Sequence, residues 1–366
     1  MKAGAPNQYK RLVVNVDTLS IFRDRRKRLL TAANGNKVVA ATAANVFWLT
    51  DFWGGGMAIV DDDRTMIFTS LLEADRAAKL GNEVEVVTAQ TWADVPLVVM
   101  KKLGNAKMMI DDDMSFRGRK GVTCAPDTFV QARSVKDEVE VARIKRASAI
   151  QDRIYRALET EIRPGKSERD IAAEAMKIAI SSGLAPSGSD SALSPIIVAS
   201  GPNGALPHGE LSGRKVRQGD LVVADIFFRY EGYNSDETRT FSVGAPSQEM
   251  KGRYRAVLEA QEAVLEAIRP GVKCNEVNEV GVVALRHRGV DRYLNHSIGH
   301  GVGIDIHESP AISRTSKDTL ARGQVVTDEP GVYFRGKYGI RIEDTVFVGK
   351  RAEPLTHYTK EFVEVG

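Results

Sequence analysis

Short apolar runs set the pattern of the first third of the chain. Residues 38–41, 57–60, 66–68, 84–87 and 108–110 are apolar or alternating over the length of a strand. The acidic stretch 61–64 joins two of them as a hairpin, and the spacing predicts a helix over 92–103. Near residue 133 the period changes. Ser134, supported by Asp137, is placed to cap a long helix. Its apolar face carries Val139, Ile144, Ala147, Ile150, Ile154 and Leu158 at spacings of three to five, and Ile162-Arg-Pro-Gly165 stops it. These patterns predict a small α/β domain over 1–132 and a second domain over 133–366.

The second domain repeats itself. Ile162-Arg-Pro-Gly165 recurs as Ile268-Arg-Pro-Gly271, and each is followed by a helical pattern, from Ser167 to about Gly183 and from about Asn275 to about Gly289. Gly219-Asp-Leu-Val-Val-Ala-Asp225 matches Gly323-Gln-Val-Val-Thr-Asp-Glu329, and Ser235-Asp-Glu-Thr matches Ile342-Glu-Asp-Thr. Near-equal offsets over three segments mark a duplicated unit. Two halves of antiparallel sheet covered by helices would face each other across a pseudo-twofold axis, and the fold class is α+β.

Within that frame Asp225 lies inside the apolar run Leu221-Val-Val-Ala-Asp225-Ile-Phe-Phe228. A carboxylate in a buried strand is costly unless a cation or a donor meets it. Asp236 follows eleven residues later, and a tight connection between two strands would bring the two acids together. The second half supplies two more acids at the matching positions, Glu329 and Glu343. Asn295-His-Ser-Ile-Gly-His300-Gly-Val-Gly-Ile-Asp-Ile-His307-Glu308 adds His296, His300 and His307, and His208 stands in a turn-like context before the first strand. Asp225, Asp236, His300, Glu329 and Glu343, mostly oxygen donors, suit a pair of divalent metal ions.

Other polar and aromatic features read as structural. Residues 111–113, all aspartates, end a strand in a solvated turn; Trp48 and Trp53 are core or subunit contact; His287 and His357 are hydrogen-bonded structural residues. The net charge of +3, from 51 basic and 48 acidic residues, gives no sign of nucleic acid or membrane as a partner. Residues 1–11 lack the apolar core of a signal peptide. Cys124 and Cys274 are too few and too far apart for a disulfide framework, so a reducing, cytoplasmic location is expected.

Taken together, these motifs resemble the dinuclear pita-bread metallopeptidases, over roughly 133–350, with all five ligand positions matched in order. The resemblance is to the proline-specific branch, which holds prolidase (Xaa-Pro dipeptidase) and aminopeptidase P. It implies a C-terminal pita-bread (creatinase/aminopeptidase) fold, an N-terminal creatinase/prolidase-like accessory domain and a homodimer. It also implies two divalent ions per subunit, manganese or cobalt, with zinc or iron as further fits. Asp225 would chelate one ion, Asp236 and Glu343 would bridge the pair, and His300 and Glu329 would complete the other. Glu329 would take a proton from the attacking water and pass it to the leaving proline nitrogen. His208 and His307 would stabilise the developing charge, Arg341 would support the ligand carboxylates, and His296 is a further candidate. The implied activity is hydrolysis of the bond between an N-terminal residue and proline, in a small peptide with proline at its second position.

Three departures from that family's pattern bear on substrate. Phe227 stands where the family often has glycine, Asp328 where an aliphatic residue is usual, and Ala311 where many prolidases have the arginine that holds a dipeptide's carboxylate; Arg314 is the nearest substitute in the sequence. They keep two alternatives open: an aminopeptidase P acting on longer peptides, and a non-peptidase hydrolase or lyase on the same dinuclear site.

Overall fold

The computed structural model describes residues 18–80, 84–187 and 194–366, so the stretch 1–11, expected to lack the core of a signal peptide, lies outside the described residues. The chain divides between Ala125 and Pro126, a few residues ahead of the expected 132/133 boundary. Pro126–Ser134 forms a helix of its own, and Arg133 in it pairs with Asp305 of the second unit. Ser134 therefore ends one helix instead of capping the next. The cap of the long helix Glu138–Glu161 is Asp137, whose carboxylate accepts from the amides of Val139 and Glu140 while the Glu140 carboxylate accepts from the Asp137 amide. An acid there satisfies free amides and meets the positive end of the helix dipole, which a serine does less well.

The first unit is a six-stranded mixed sheet. All five predicted strands are present, at Lys37–Ala40, Met57–Val60, Thr65–Ser70, Val84–Ala89 and Met108–Ile110, with Val122–Cys124 added at one edge. Residues 61–64 close the expected hairpin, with Val60 opposite Thr65. The segment 92–103 is a short 3-10 turn followed by the α-helix Val95–Leu103. Asp111 corrects the solvated-turn expectation. It does end a strand, but it is buried and accepts from the amides of Ala41 and Thr42, the Thr42 hydroxyl and Asn45. There it ties the residues leading into the helix Ala43–Thr50 to the side chain of Asn45 in its first turn. Trp48 from that helix is fully buried.

In the second unit two sheets, antiparallel except where Glu364–Val365 runs parallel to Tyr233–Val243, carry the duplicated halves. In one, the long strands Leu221–Tyr230 and Tyr233–Val243 form a hairpin, flanked by Ile196–Ser200, Ala185–Pro186 and Glu364–Val365. Its loop is only Glu231-Gly232, both at positive φ (45° and 88°), the two-residue turn whose twist matches that of the strands. The other sheet runs Glu308–Ile312, Gly299–Gly301, Val325–Asp328, Asp344–Val348, Ala352–Pro354. Helices Glu138–Glu161 and Glu168–Ser181 belong to the first half, Gln248–Ala267 and Cys274–His287 to the second. The repeated Arg-Pro-Gly stops adopt the same geometry, with Gly165 and Gly271 at φ of 91° and 87°, where a side chain would be strained. Ile144, Ala147, Ile150, Ile154 and Leu158 are buried as the apolar stripe requires, and Val139 is half-buried. A bridge between Thr238 and Glu343 joins the two sheets at the middle of the unit. Among the described residues no helix is long and apolar enough to cross a membrane.

Candidate metal centre

The hairpin register sets the first two acids. Asp225 lies opposite Thr238, and Asp236 opposite Phe227, so the two carboxylates are diagonal neighbours on one face. The second sheet adds His300 from the strand Gly299–Gly301, Glu329 just beyond the strand Val325–Asp328, and Glu343 just before the strand Asp344–Val348. All nine residues singled out from the sequence line one cavity of about 230 Å³: these five together with His208, His296, His307 and Arg341. Asp236, His300 and Glu343 each offer a donor atom, all within 4.8 Å of one another.

The halves brace each other symmetrically. The Thr238 hydroxyl, two residues after Asp236, donates to Glu343 Oε2 (2.5 Å). Thr345, two residues after Glu343, accepts from the Asp236 amide (2.9 Å) and donates to the Asp236 carbonyl (2.7 Å). Arg341 is fully committed: Nη2 to Asp225 Oδ2 (2.5 Å), Nε to the Thr238 hydroxyl (3.0 Å), Nη1 to the Tyr333 hydroxyl (2.7 Å) and the Pro207 carbonyl (3.2 Å). Tyr333 also meets His296 Nε2 at 2.9 Å; because His296 Nδ1 faces the Ser297 carbonyl, Nδ1 carries the hydrogen and Nε2 accepts from Tyr333. Thr238, Thr345 and Tyr333 are missed by the sequence reading. The threonines do leave a trace there, at the same offset from the acid in both halves.

Among the described residues, four carboxylates share this cavity with a single guanidinium. Burial first, then the neighbouring acids, push Asp236 and Glu343 well above the usual carboxylate range, and burial lifts Glu329 to about 7. Asp225 Oδ1, Asp236 Oδ1 and Glu343 Oε1 are buried with no hydrogen-bond partner. Orphaned oxygens converging on one space are what a bound cation would satisfy. The imidazole is prepared for the same task. His300 Nδ1 donates to the Gly301 carbonyl (3.0 Å), which leaves the Nε2 lone pair facing Glu329 Oε1 at 3.3 Å and Asp236 Oδ2 at 3.8 Å. Burial, followed by the nearby His307, lowers His300 to about 3, so its lone pair is available throughout the physiological range. The residues fit divalent metal ions.

The carboxylates must lose protons to hold a cation and His300 has none to lose, so affinity for Mn²⁺ should fall as pH drops through about 7, the value to which Glu329 is lifted. Calorimetry in buffers of different ionisation enthalpy should detect proton release on binding; affinity that is flat from pH 8 to 5.5 would contradict this charge balance.

The opposite face of the same strands holds a buried ionic network. Arg239 pairs with Asp344 (2.8 Å) and Glu237 (3.1 Å) and donates to the Glu343 carbonyl (2.5 Å). Gln261 donates to both Asp328 and Asp344. Asp328 thus points away from the cavity, one residue out of phase with Glu329. Arg314 is exposed and is not among the described residues that line the cavity, whereas Ala311 is.

Known proteins match this chain in sequence and in fold. The pattern of metallopeptidase family M24 matches residues 142–350. The Xaa-Pro dipeptidase of Pyrococcus furiosus is 33% identical over 93% of this chain and the whole of that protein. The solved prolidase from Pyrococcus horikoshii OT3 has a TM-score of 0.83 at 29% identity, covering 94% of this chain and 100% of that one. The X-Pro aminopeptidase from Thermotoga maritima MSB8 has a TM-score of 0.83 at 30% identity, covering 93% and 99%. With a family match over more than half its length, a pita-bread fold and a cavity suited to divalent metal ions, the chain belongs to metallopeptidase family M24 and is a hydrolase.

Proposed function

We propose that the chain is an Xaa-Pro dipeptidase, hydrolysing the bond between an amino-terminal residue and proline. In this reading Asp225, Asp236, His300, Glu329 and Glu343 hold two divalent ions, manganese or cobalt, with zinc and iron as further fits. The observation that carries it is the convergence of Asp236, His300 and Glu343 within 4.8 Å beside orphaned carboxylate oxygens. Bound divalent ions supply Lewis-acid polarisation of a carbonyl and a lowered pKa for water. The chain's own residues do the rest. Glu329, lifted to about 7 by burial, takes the proton of the attacking water and returns it to the departing proline nitrogen. His208 and His307 line the cavity and stabilise charge that develops on the scissile carbonyl. Arg341 fixes Asp225 directly and Glu343 through Thr238. His296 takes its orientation from Tyr333 and Ser297. We further infer a homodimer in the cytoplasm, on the family resemblance and on two free cysteines.

One observation favours a second reading, an aminopeptidase P acting on longer peptides. Ala311 lines the cavity where an anchoring arginine is expected, and the one guanidinium among the described lining residues, Arg341, is already paired with Asp225. The discriminating assay is hydrolysis of Met-Pro against Met-Pro-Ala by protein stripped of metal and reloaded with manganese or cobalt. Fast cleavage of Met-Pro alone supports the dipeptidase, with the carboxylate held by a group other than residue 311. Preference for Met-Pro-Ala identifies the aminopeptidase. If neither is cut at full metal occupancy, the peptidase reading falls and a different hydrolase or lyase reaction takes its place.

A further inference from the structure

Beside its acids and imidazoles the cavity lining carries an apolar patch that the proposed chemistry does not use. Phe227 follows Asp225 by two residues in the strand Leu221–Tyr230, so both side chains lie on the same face. Its direct cross-strand neighbour is Asp236. The ring is only 3% exposed and packs with Ile197, Ala199 and Ile306 in a small cluster separate from the main cores, and both Phe227 and Ile306 line the cavity. The Phe227 amide donates to the Pro195 carbonyl at 3.0 Å, which pins the backbone under the ring.

From this placement we propose that Phe227 limits the size of the residue before proline, so that the enzyme prefers small amino-terminal residues such as glycine and alanine. The inference rests on the Xaa-Pro peptidase reading and names its substrate class more narrowly. The amino-terminal ammonium is the end of such a substrate that is drawn towards the acids, of which Asp225 and Asp236 lie nearest Phe227. The residue bearing that ammonium is the one before proline. Its β-carbon lies roughly 2.5 Å from the nitrogen, as covalent geometry requires, so its side chain is delivered to the wall beside these acids, where the Phe227 ring already fills the space. A methyl group fits against a flat apolar ring, whereas a branched or aromatic side chain must displace it. The proline lies beyond the scissile bond, away from this wall.

The test is kcat/KM for Gly-Pro, Ala-Pro, Leu-Pro and Phe-Pro, and for the same series extended by alanine, with manganese-loaded wild type, F227A and F227V. Wild type is expected to favour Ala-Pro over Phe-Pro by about tenfold or more, the scale on which pocket size discriminates. F227A should reduce or reverse that ratio by a similar factor while leaving selectivity beyond the proline unchanged. F227V, a better strand former that also shortens the side chain, keeps the test open if the alanine variant folds poorly. Equal ratios in wild type and both variants, or a wild-type preference for Phe-Pro, would overturn the proposal. Cleavage of none of the peptides by wild type would instead remove the peptidase reading, and this inference with it.

Discussion

An Asp236→Ala variant is expected to lose manganese-dependent cleavage of Met-Pro by about a thousandfold or more, the order seen when a group central to charge stabilisation is deleted. Asp236 lies on the strand that connects the two halves through Thr238, and it shares the 4.8 Å cluster with His300 and Glu343. Its backbone is held on both sides by Thr345, so truncating the side chain leaves the strand in place. What is lost is a donor. Manganese affinity should therefore fall beyond the ten- to hundredfold typical of partners that touch a metal only through its ligands. Metal-free protein should respond in the opposite direction. Burial and the neighbouring acids raise Asp236 well above its ordinary pKa, and a group raised in this way opposes folding as pH rises above the range of an exposed aspartate. Without metal near pH 8 the variant should be at least as stable as wild type, whereas with manganese it should be less stable. Calorimetric binding and thermal unfolding with and without manganese test both halves of this expectation. Tight manganese binding by Asp236→Ala would remove Asp236 from the ligand set.

The parts of this architecture that could be read from the sequence are those that period and duplication encode. An acid inside an apolar strand stands out, and its recurrence at a near-constant offset in the second half ties Asp225 to Glu329 and Asp236 to Glu343 before any contact is known. The same logic reaches Asp328. Through the duplication it corresponds to Ala224, one residue out of phase with Asp225, and strand alternation turns it away from the cavity, where Gln261 meets it. The network of Glu237, Arg239 and Asp344 was not legible, because charged residues read as solvated unless their partners are known, and those partners come from strands about a hundred residues apart. Asp111 is a similar case: its burial depends on residues 41 and 42 and the side chain of Asn45 folding over it. The choice between Ser134 and Asp137 as cap turned on a short helix in the connection that hydrophobic spacing does not announce.

Glu329→Gln is expected to lower kcat by roughly 10²–10⁴, the span usually supplied by a positioned acid or base, with KM much less affected. Glutamine keeps the shape of the side chain and the oxygen that faces His300 Nε2 at 3.3 Å and accepts from the Thr327 hydroxyl at 3.3 Å. It cannot take up a proton, and burial has lifted Glu329 to about 7, close to the pH at which it would have to exchange one. The change also removes one negative charge, so the loss alone does not separate proton transfer from electrostatics. The pH profile of kcat separates them: loss of a proton-transferring group removes the limb that its titration sets, whereas loss of charge alone leaves the profile in place and lowers it. Asp328→Asn controls for placing an amide in this strand. It makes the matching substitution one residue away, on the opposite face, where Gln261 meets the side chain. Kinetics for Asp328→Asn should stay within a few-fold of wild type, because that side chain faces away from the cavity. Equal losses in the two variants would mean that the position of Glu329 beside His300 does not govern the rate. A large loss confined to Glu329→Gln, with manganese still bound and the limb near pH 7 gone, would identify it as the group that moves the proton.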